Sequence, residues 1–272
     1  MIPARAPIED LDPPIRGLIL DVDGVLWKAD EPIGDLAAVF SAIQARGWRV
    51  SIATNNAMHS VEDYRLKLQG FGVIVHAAQI ITSAEATADT LLAAVPGGGT
   101  IYLVGEQGVK RALEQQGFEV ISDPAHQAKY VAVVAGIDHE LSYDRLRKAS
   151  SLIRAGLPFY GTNPDPTFPT PAGLVPGAGA VIAAVATASG KQPIVVGKPS
   201  PLLFETAARR MQLKASELLV VGDRLETDIK GGQAFKARTA LVLSGVSAQA
   251  DADAWQPAPT LVAPTLSALL GL

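Results

Sequence analysis

Eight short apolar runs, each parted from the next by loop or helix-spaced sequence, constrain this chain more than anything else in it. They are GLILD (17–21), WRVSIAT (48–54), TIYLVG (100–105), YVAVVAG (130–136), LPFYGT (157–162), PIVVG (193–197), ELLVVGD (217–223) and TALVL (239–243). Strand-length runs that alternate with helices form βαβ units, whose strands lie parallel in one sheet. The helical stretches carry their own punctuation. SVEDYRLKLQGFG pairs Ser60 with Asp63 much as a capping box does, and closes on Gly70 or Gly72. TSAEATADTLLAAVPGGG opens with Thr82 and Glu85 in capping-box spacing and stops at a proline and three glycines. GVKRALEQQGF, YDRLRKASSLIRAG and PLLFETAARRMQL show helical spacing too. The fold class that follows is α/β: a doubly wound, mainly parallel, Rossmann-like sheet.

With 272 residues, 48% hydrophobic and 18% charged, the chain can bury more than one core. The strongest internal break is Pro96 to Gly99, and SGKQP (189–193) is a second. Three strands and their helices lie between, enough for a small α/β domain. The expected organisation is a core of residues 1–96 and 191–272 with a cap of residues 97–190 inserted into it.

The first run continues as LILDVDGVLW (18–27), so a buried apolar stretch ends in two aspartates. In an extended segment Asp21 and Asp23 point the same way. Carboxylates about 5 Å apart repel by roughly 3 kcal/mol at an effective dielectric near 20. A bound cation, a shared proton or exposure to water can offset that, and an Asp-Gly turn is the ordinary alternative.

Ligands of open α/β sheets bind at the carboxyl ends of strands, and four of the runs end there in polar groups. The first ends in Asp21 and Asp23, the second in Thr54, Asn55 and Asn56, the sixth in Lys198, and the seventh in Asp223 with Asp228 five residues on. Singly, each reads as ordinary: a β-strand threonine, a turn, a solvated lysine, acidic residues at a helix start. Together they fit phosphoryl transfer. Hard oxygen ligands from Asp21 and Asp223 suit octahedral Mg²⁺. A hydroxyl and an ammonium can hold phosphoryl oxygens, and an Asp carboxylate can attack phosphorus while a second Asp manages protons.

In this order the motifs resemble the phosphatases of the haloacid dehalogenase superfamily. The likeness is to the branch with a large α/β cap, which includes 4-nitrophenyl, phosphoglycolate and pyridoxal phosphate phosphatases. DVDGVLW, ATNN, TSAEATADTL, TNPDPTFPT, PGAGAVIAAVATASG, VVGKPSP, VGDRLETDI and LVLSGV carry the resemblance across residues 18–246. It implies that Asp21 is the nucleophile and that Asp23 is the acid/base and gives its backbone carbonyl to Mg²⁺. It makes Thr54 and Lys198 phosphate holders, with Asn55 supporting through its backbone; Asn55 and Asn56, at the same strand end, are the candidate substrate contacts of the core. Asp223 becomes the third protein ligand of the metal, and Asp228 a partner acting through water or Lys198. In the cap, Asn163, Asp165 and Phe168 fall where the branch's specificity loop contacts the leaving group. Some pyridoxal phosphate phosphatases have histidine where Phe168 stands, which disfavours that substrate. The implied activity is Mg²⁺-dependent hydrolysis of small phosphorylated metabolites, and relatives that pair through the cap make a homodimer the assembly to expect.

Other classes find less support. GAGAVI (177–182) gives G-x-G without the third glycine and follows a poor strand, so it makes a weak dinucleotide site for an oxidoreductase. A phospho-receiver switch shares the Asp, Thr, Lys and Mg²⁺, but the chain is about twice the length of such a domain and carries Asp23. A phosphomutase remains an alternative outcome of the same chemistry. In an EF-hand the twelfth position from Asp21 would be Glu; here it is Pro32. His59, His76, His126 and His139 lack metal-ligand spacing. A net charge of −4 gives no electrostatic case for nucleic acid. Zero cysteines exclude disulfides and thiolate metal sites. No run of about 18 apolar residues suggests a membrane span, and residues 1–17 lack a signal-peptide core, so the default expectation is a cytoplasmic protein.

Overall fold

The computed structural model describes residues 8–170 and 173–272. Its packing forms two units. The first comprises the described residues of Met1–Thr54, Val61–Ile81 and Lys198–Leu272; the second comprises Asn55–Ser60 and the described residues of Thr82–Gly197.

The first unit holds a six-stranded sheet. Its spatial order is Leu261–Ala263, Arg238–Val242, Leu218–Gly222, Gly17–Leu20, Arg49–Thr54, Ile80–Thr82. Every residue of Gly17–Leu20 and Leu218–Gly222 is buried. That is why these strands read as unbroken apolar runs: a parallel sheet is covered on both faces, so neither face can be polar. Gly17–Leu20 pairs in parallel with Arg49–Thr54 on one side and Leu218–Gly222 on the other. From it the chain builds outward one way through residues 49–82, then returns after the insertion and builds the other way through residues 218–263. This reversal is the switch point where open α/β sheets gather ligands at the strands' carboxyl ends.

Helices fix the sheet in place. Leu36–Ala45 starts on Asp35, whose Oδ1 accepts from Ala38 N at 3.0 Å, and buries Leu36, Val39 and Ile43 in one cluster with Leu18, Leu20, Ile52 and Val221. Pro201–Met211 packs against strands 17–20 and 49–54 and buries Leu203, Phe204, Ala207 and Met211.

The second unit has its own five-stranded parallel sheet, ordered Ile194–Val195, Phe159–Gly161, Tyr130–Ala135, Thr100–Val104, Glu119–Ile121. An antiparallel hairpin, Thr167–Thr170 with Gly173–Pro176, sets Phe168 opposite Val175. Pro171 and Ala172, part of the stretch before the glycine-rich turn, lie outside the described residues. That turn opens the helix Ala178–Ser189. Its Gly177 and Gly179 amides donate to Pro166 O and Asp165 O at 2.9 and 2.8 Å. The stretch follows a hairpin arm rather than a strand of a parallel sheet, and these two amides are already used, so the context a dinucleotide cradle needs is missing.

Two expectations about organisation change. The units divide after Ile81 and Gly197, where the sequence pointed to 96 and 190. The helix Ser83–Ala94, capped by Thr82 Oγ1 accepting from Glu85 N at 3.2 Å, packs on Gln107–Gln115 and so belongs to the second unit. The run at 193–197 likewise supplies Ile194–Val195 to the second sheet, pairing with Phe159–Gly161. Lys198 therefore follows a strand of the other sheet and is the first residue of the chain's return to the first unit. Among the described residues, no helix is long and apolar enough to cross a membrane.

Candidate active site

Within the first unit, three neighbouring strands deliver Asp21, Asp223 and Thr54 to one edge. The sheet register makes this unavoidable: Leu20 pairs with both Ile52 and Val221, and Asp21 N donates to Val221 O at 2.9 Å. The extended backbone stops at Leu20. Residues 22–27 form a tight turn, with Leu26 N donating to Val22 O and Gly24 N to Trp27 O, both at 2.8 Å. The same-side argument for Asp21 and Asp23 therefore fails beyond Leu20. Asp21 instead gathers with Asp223 and Asp228, whose carboxylate oxygens lie within 4.8 Å of one another, while Asp23 is exposed. The like charges that crowd Asp21 come from far along the chain.

Lys198 enters the middle of this cluster, only 3% exposed. Its Nζ donates to Asp21 Oδ1 at 2.5 Å, Asp228 Oδ1 at 2.7 Å and Ala53 O at 3.1 Å. Asp228 is carried by a π turn, Leu225–Ile229, and its Oδ2 accepts from Arg224 N at 3.2 Å. Both of its oxygens are thus engaged by protein groups. Asp223 differs: Oδ2 accepts from Val246 N at 2.8 Å, but the buried Oδ1 has no hydrogen-bond partner.

Three carboxyl groups surround one ammonium, so full ionisation would leave two negative charges uncompensated. Burial, opposed by Lys198 and reinforced by Asp228 and Asp223, pushes the Asp21 carboxyl up to about 8. Burial and the charge of Asp228 raise Asp223 to about 6. Burial lowers the proton affinity of Lys198, but Asp21 and Asp228 outweigh it and hold the ammonium above the ordinary lysine range. The sign for metal-free protein follows. Between the ordinary 3.8 and about 8, folded Asp21 keeps a proton that the unfolded chain has lost, so stability falls as pH rises across that window. In EDTA, melting temperatures should drop from pH 5 to pH 8, and Asp21→Asn should remove much of that drop. A pH slope identical in the two proteins would contradict the shift.

An oxygen donor set with an orphaned, buried carboxylate oxygen and three carboxyl groups to one ammonium fits a hard divalent cation such as Mg²⁺. Asp21 and Asp223 have the chemistry to hold it.

Tyr64 belongs to the same region, although nothing in the sequence singles it out. It is 5% exposed and stacks on Trp27 at 6.2 Å between centroids. Burial, with the charge of Asp23 adding, lifts its hydroxyl above the ordinary tyrosine range. Thr54 itself is 3% exposed.

The remaining candidates lie in the second unit. Asn163 Nδ2 donates to Asn55 O at 2.9 Å, Asn55 Nδ2 to Asp165 Oδ2 at 3.1 Å, and Asp165 N to Asn163 Oδ1 at 3.2 Å. The three form one network, joined by buried Ser83, whose Oγ donates to Asn55 O at 2.6 Å. Ser83 escaped notice because its partner is a main-chain oxygen. Asn56 closes a short local turn, its Oδ1 accepting from Met58 N at 2.9 Å. Phe168 sits half-buried on the hairpin.

The family model described as haloacid dehalogenase-like hydrolase matches residues 18–119, and one described as HAD-hydrolase-like matches residues 195–269. The acid sugar phosphatase of Staphylococcus saprophyticus is 31% identical over 246 residues, covering 90% of this chain and 93% of that protein. The chain belongs to the haloacid dehalogenase-like hydrolases. Among solved structures, the p-nitrophenyl phosphatase from Archaeoglobus fulgidus superposes with a TM-score of 0.86 at 29% identity, covering 94% of this chain and 98% of that one. The glycerol phosphate phosphatase from Mycobacterium tuberculosis, solved in complex with magnesium, gives 0.84 at 32% identity, with 94% and 76% covered. Within its family this haloacid dehalogenase-like hydrolase is a phosphatase, built as a Rossmann-like core with an inserted α/β cap.

Proposed function

We propose that the enzyme is a Mg²⁺-dependent phosphohydrolase that cleaves small phosphomonoesters through an aspartyl-phosphate on Asp21. The observation that carries this reading is the meeting of Asp21, Asp223 and Asp228 in one cluster, with the Lys198 ammonium 2.5 Å from Asp21 and the buried Asp223 Oδ1 lacking a hydrogen-bond partner. Asp21, Asp223 and the main-chain carbonyl of Asp23 would hold the cation, which when bound supplies positive charge to the phosphoryl oxygens.

The protein's own groups divide the work. An Asp21 oxygen forms the new bond to phosphorus as the ester P–O bond breaks. Asp23, exposed and outside the carboxylate cluster, gives its proton to the departing oxygen. It then takes a proton from the water that attacks the aspartyl-phosphate, and cleavage of that bond returns Asp21 as a carboxylate. Esterification removes the Asp21 charge, which frees the Lys198 ammonium for the phosphoryl oxygens. Asp228, at 2.7 Å, keeps that ammonium in place meanwhile. The Thr54 hydroxyl provides a further donor to the phosphoryl group.

The cation requirement is open to direct test. EDTA should silence hydrolysis of an aryl phosphate and added Mg²⁺ should restore it; turnover that persists without metal would remove the ligand assignment. On the cap, we assign leaving-group contacts to Asn163, Asp165 and Phe168. Acid sugar, glycerol phosphate and p-nitrophenyl phosphatases among the relatives support a small phosphomonoester as the substrate class. Phe168→Ala should reorder the preference among such esters by about 10-fold in relative kcat/KM, as for other apolar contacts to substrate. An unchanged ranking would dismiss the assignment.

A further inference from the structure

The segment Ser244–Ser247 follows the strand Arg238–Val242 and contributes no side chain to the carboxylate cluster, yet it touches that cluster's frame at four points. Ser244 Oγ donates to Gly24 O at 2.7 Å. Val246 N donates to Asp223 Oδ2 at 2.8 Å. Ser247 N donates to Asp223 O at 3.1 Å, and Ser247 Oγ accepts from Leu225 N at 3.3 Å. The carboxylate is also gripped sterically. A Cβ on Gly24 would stand 2.5 Å from Asp223 Oδ2, and one on Gly245 would stand 2.0 Å from the same oxygen. Two bare glycine backbones therefore flank Asp223, and the Ser244 side chain joins one to the other.

We infer that Ser244 is a positioning residue for the cation site: by clasping Gly24 it holds the two glycine backbones against Asp223 and so fixes the direction of its carboxylate within the cluster. The physical reason lies in the glycines. Gly24 occupies a left-handed conformation (φ +80°) and has no side chain to restrain it, so a lost hydrogen bond there is paid in backbone freedom. Once the Gly24 peptide can swing, Asp223 gains room to rotate. Its one satisfied oxygen and its bare one then no longer have fixed directions. Groups that orient a metal ligand without touching the metal change affinity by about 10- to 100-fold when removed.

The inference rests on the Mg²⁺ reading of the site and has its own test. Full-length protein stripped with EDTA is titrated with Mg²⁺ in a calorimeter, and its melting temperature is recorded with and without the ion. Ser244→Ala should weaken Mg²⁺ binding by ~10-fold and shrink the Mg²⁺-induced rise in melting temperature. Ser244→Thr, which keeps the hydroxyl, should bind as the wild type does. If Ser244→Ala does not fold, Ser244→Cys, with a weaker donor, carries the same expectation. A lower melting temperature with Mg²⁺ affinity unchanged would make Ser244 merely structural and overturn the inference. Wild-type protein that binds no Mg²⁺ would overturn the cation site itself, and the clasp with it.

Discussion

Asp21→Asn is expected to lower turnover of a chromogenic aryl phosphate by on the order of 10⁴-fold or more, with the fold intact. The amide fills the same volume, so the backbone bond from Asp21 N to Val221 O is retained. What disappears is the only chain oxygen in this cluster proposed to attack phosphorus. The neighbours cannot substitute: Asp228 has both oxygens occupied by Lys198 and main-chain or hydroxyl donors, and Asp223 is pinned through Val246. Removing the charge also relieves the crowding of three buried carboxylates, while Lys198 keeps Asp228 and Ala53 O as partners. A folded, inactive protein that is at least as stable as wild type without metal is therefore the expected phenotype. Turnover close to wild type would end the nucleophile assignment.

Much of this was legible before any coordinates. The central strands announce themselves because both faces are covered, so Leu18 to Leu20 and Leu218 to Val221 have no polar interruption. Strands of three residues, such as Glu119–Ile121 and Leu261–Ala263, are too short to leave a periodic trace. The unit boundary was misplaced because a Pro-Gly tract marks where a helix stops, and a helix's stopping point does not say which sheet it packs against. The site was readable as a set of residue types at strand ends. What the spacing could not convey was which carboxylates meet. That depends on the turn at residues 22–27, which ends the extended backbone between Asp21 and Asp23, and on the π turn that brings Asp228 onto Lys198. Tyr64 left no signal, and Ser244 stood out only as one letter of the motif LVLSGV. One looks like an ordinary helical core residue, and the other acts on a carbonyl 220 residues away in sequence.

Lys198→Met should damage turnover and stability together, because it removes a proposed phosphate holder and leaves two carboxylates without their counter-ion. Loss of one preorganised donor to the phosphoryl group predicts a fall in kcat of about 10²–10³-fold. The stability cost has a separate origin. Breaking a buried ion pair by deleting one partner typically costs about 3–5 kcal/mol, and here the ammonium serves Asp21 and Asp228 together at 2.5 and 2.7 Å. The pH dependence separates this from a packing defect. Lys198 lowers the Asp21 carboxyl against the upward push of burial. Without Lys198 the folded protein holds its proton on Asp21 still more tightly, and ionising that carboxyl costs more. Folded affinity above unfolded affinity means stability lost as pH rises, and because wild-type Asp21 gives up its proton only near 8, the gap between wild type and variant in EDTA should widen as pH rises through about 8. Mg²⁺ should narrow it by supplying positive charge to the same carboxylates. A gap that stays constant with pH and ignores Mg²⁺ would mean that Lys198 contributes through its aliphatic stem, and the electrostatic account of the site would fall.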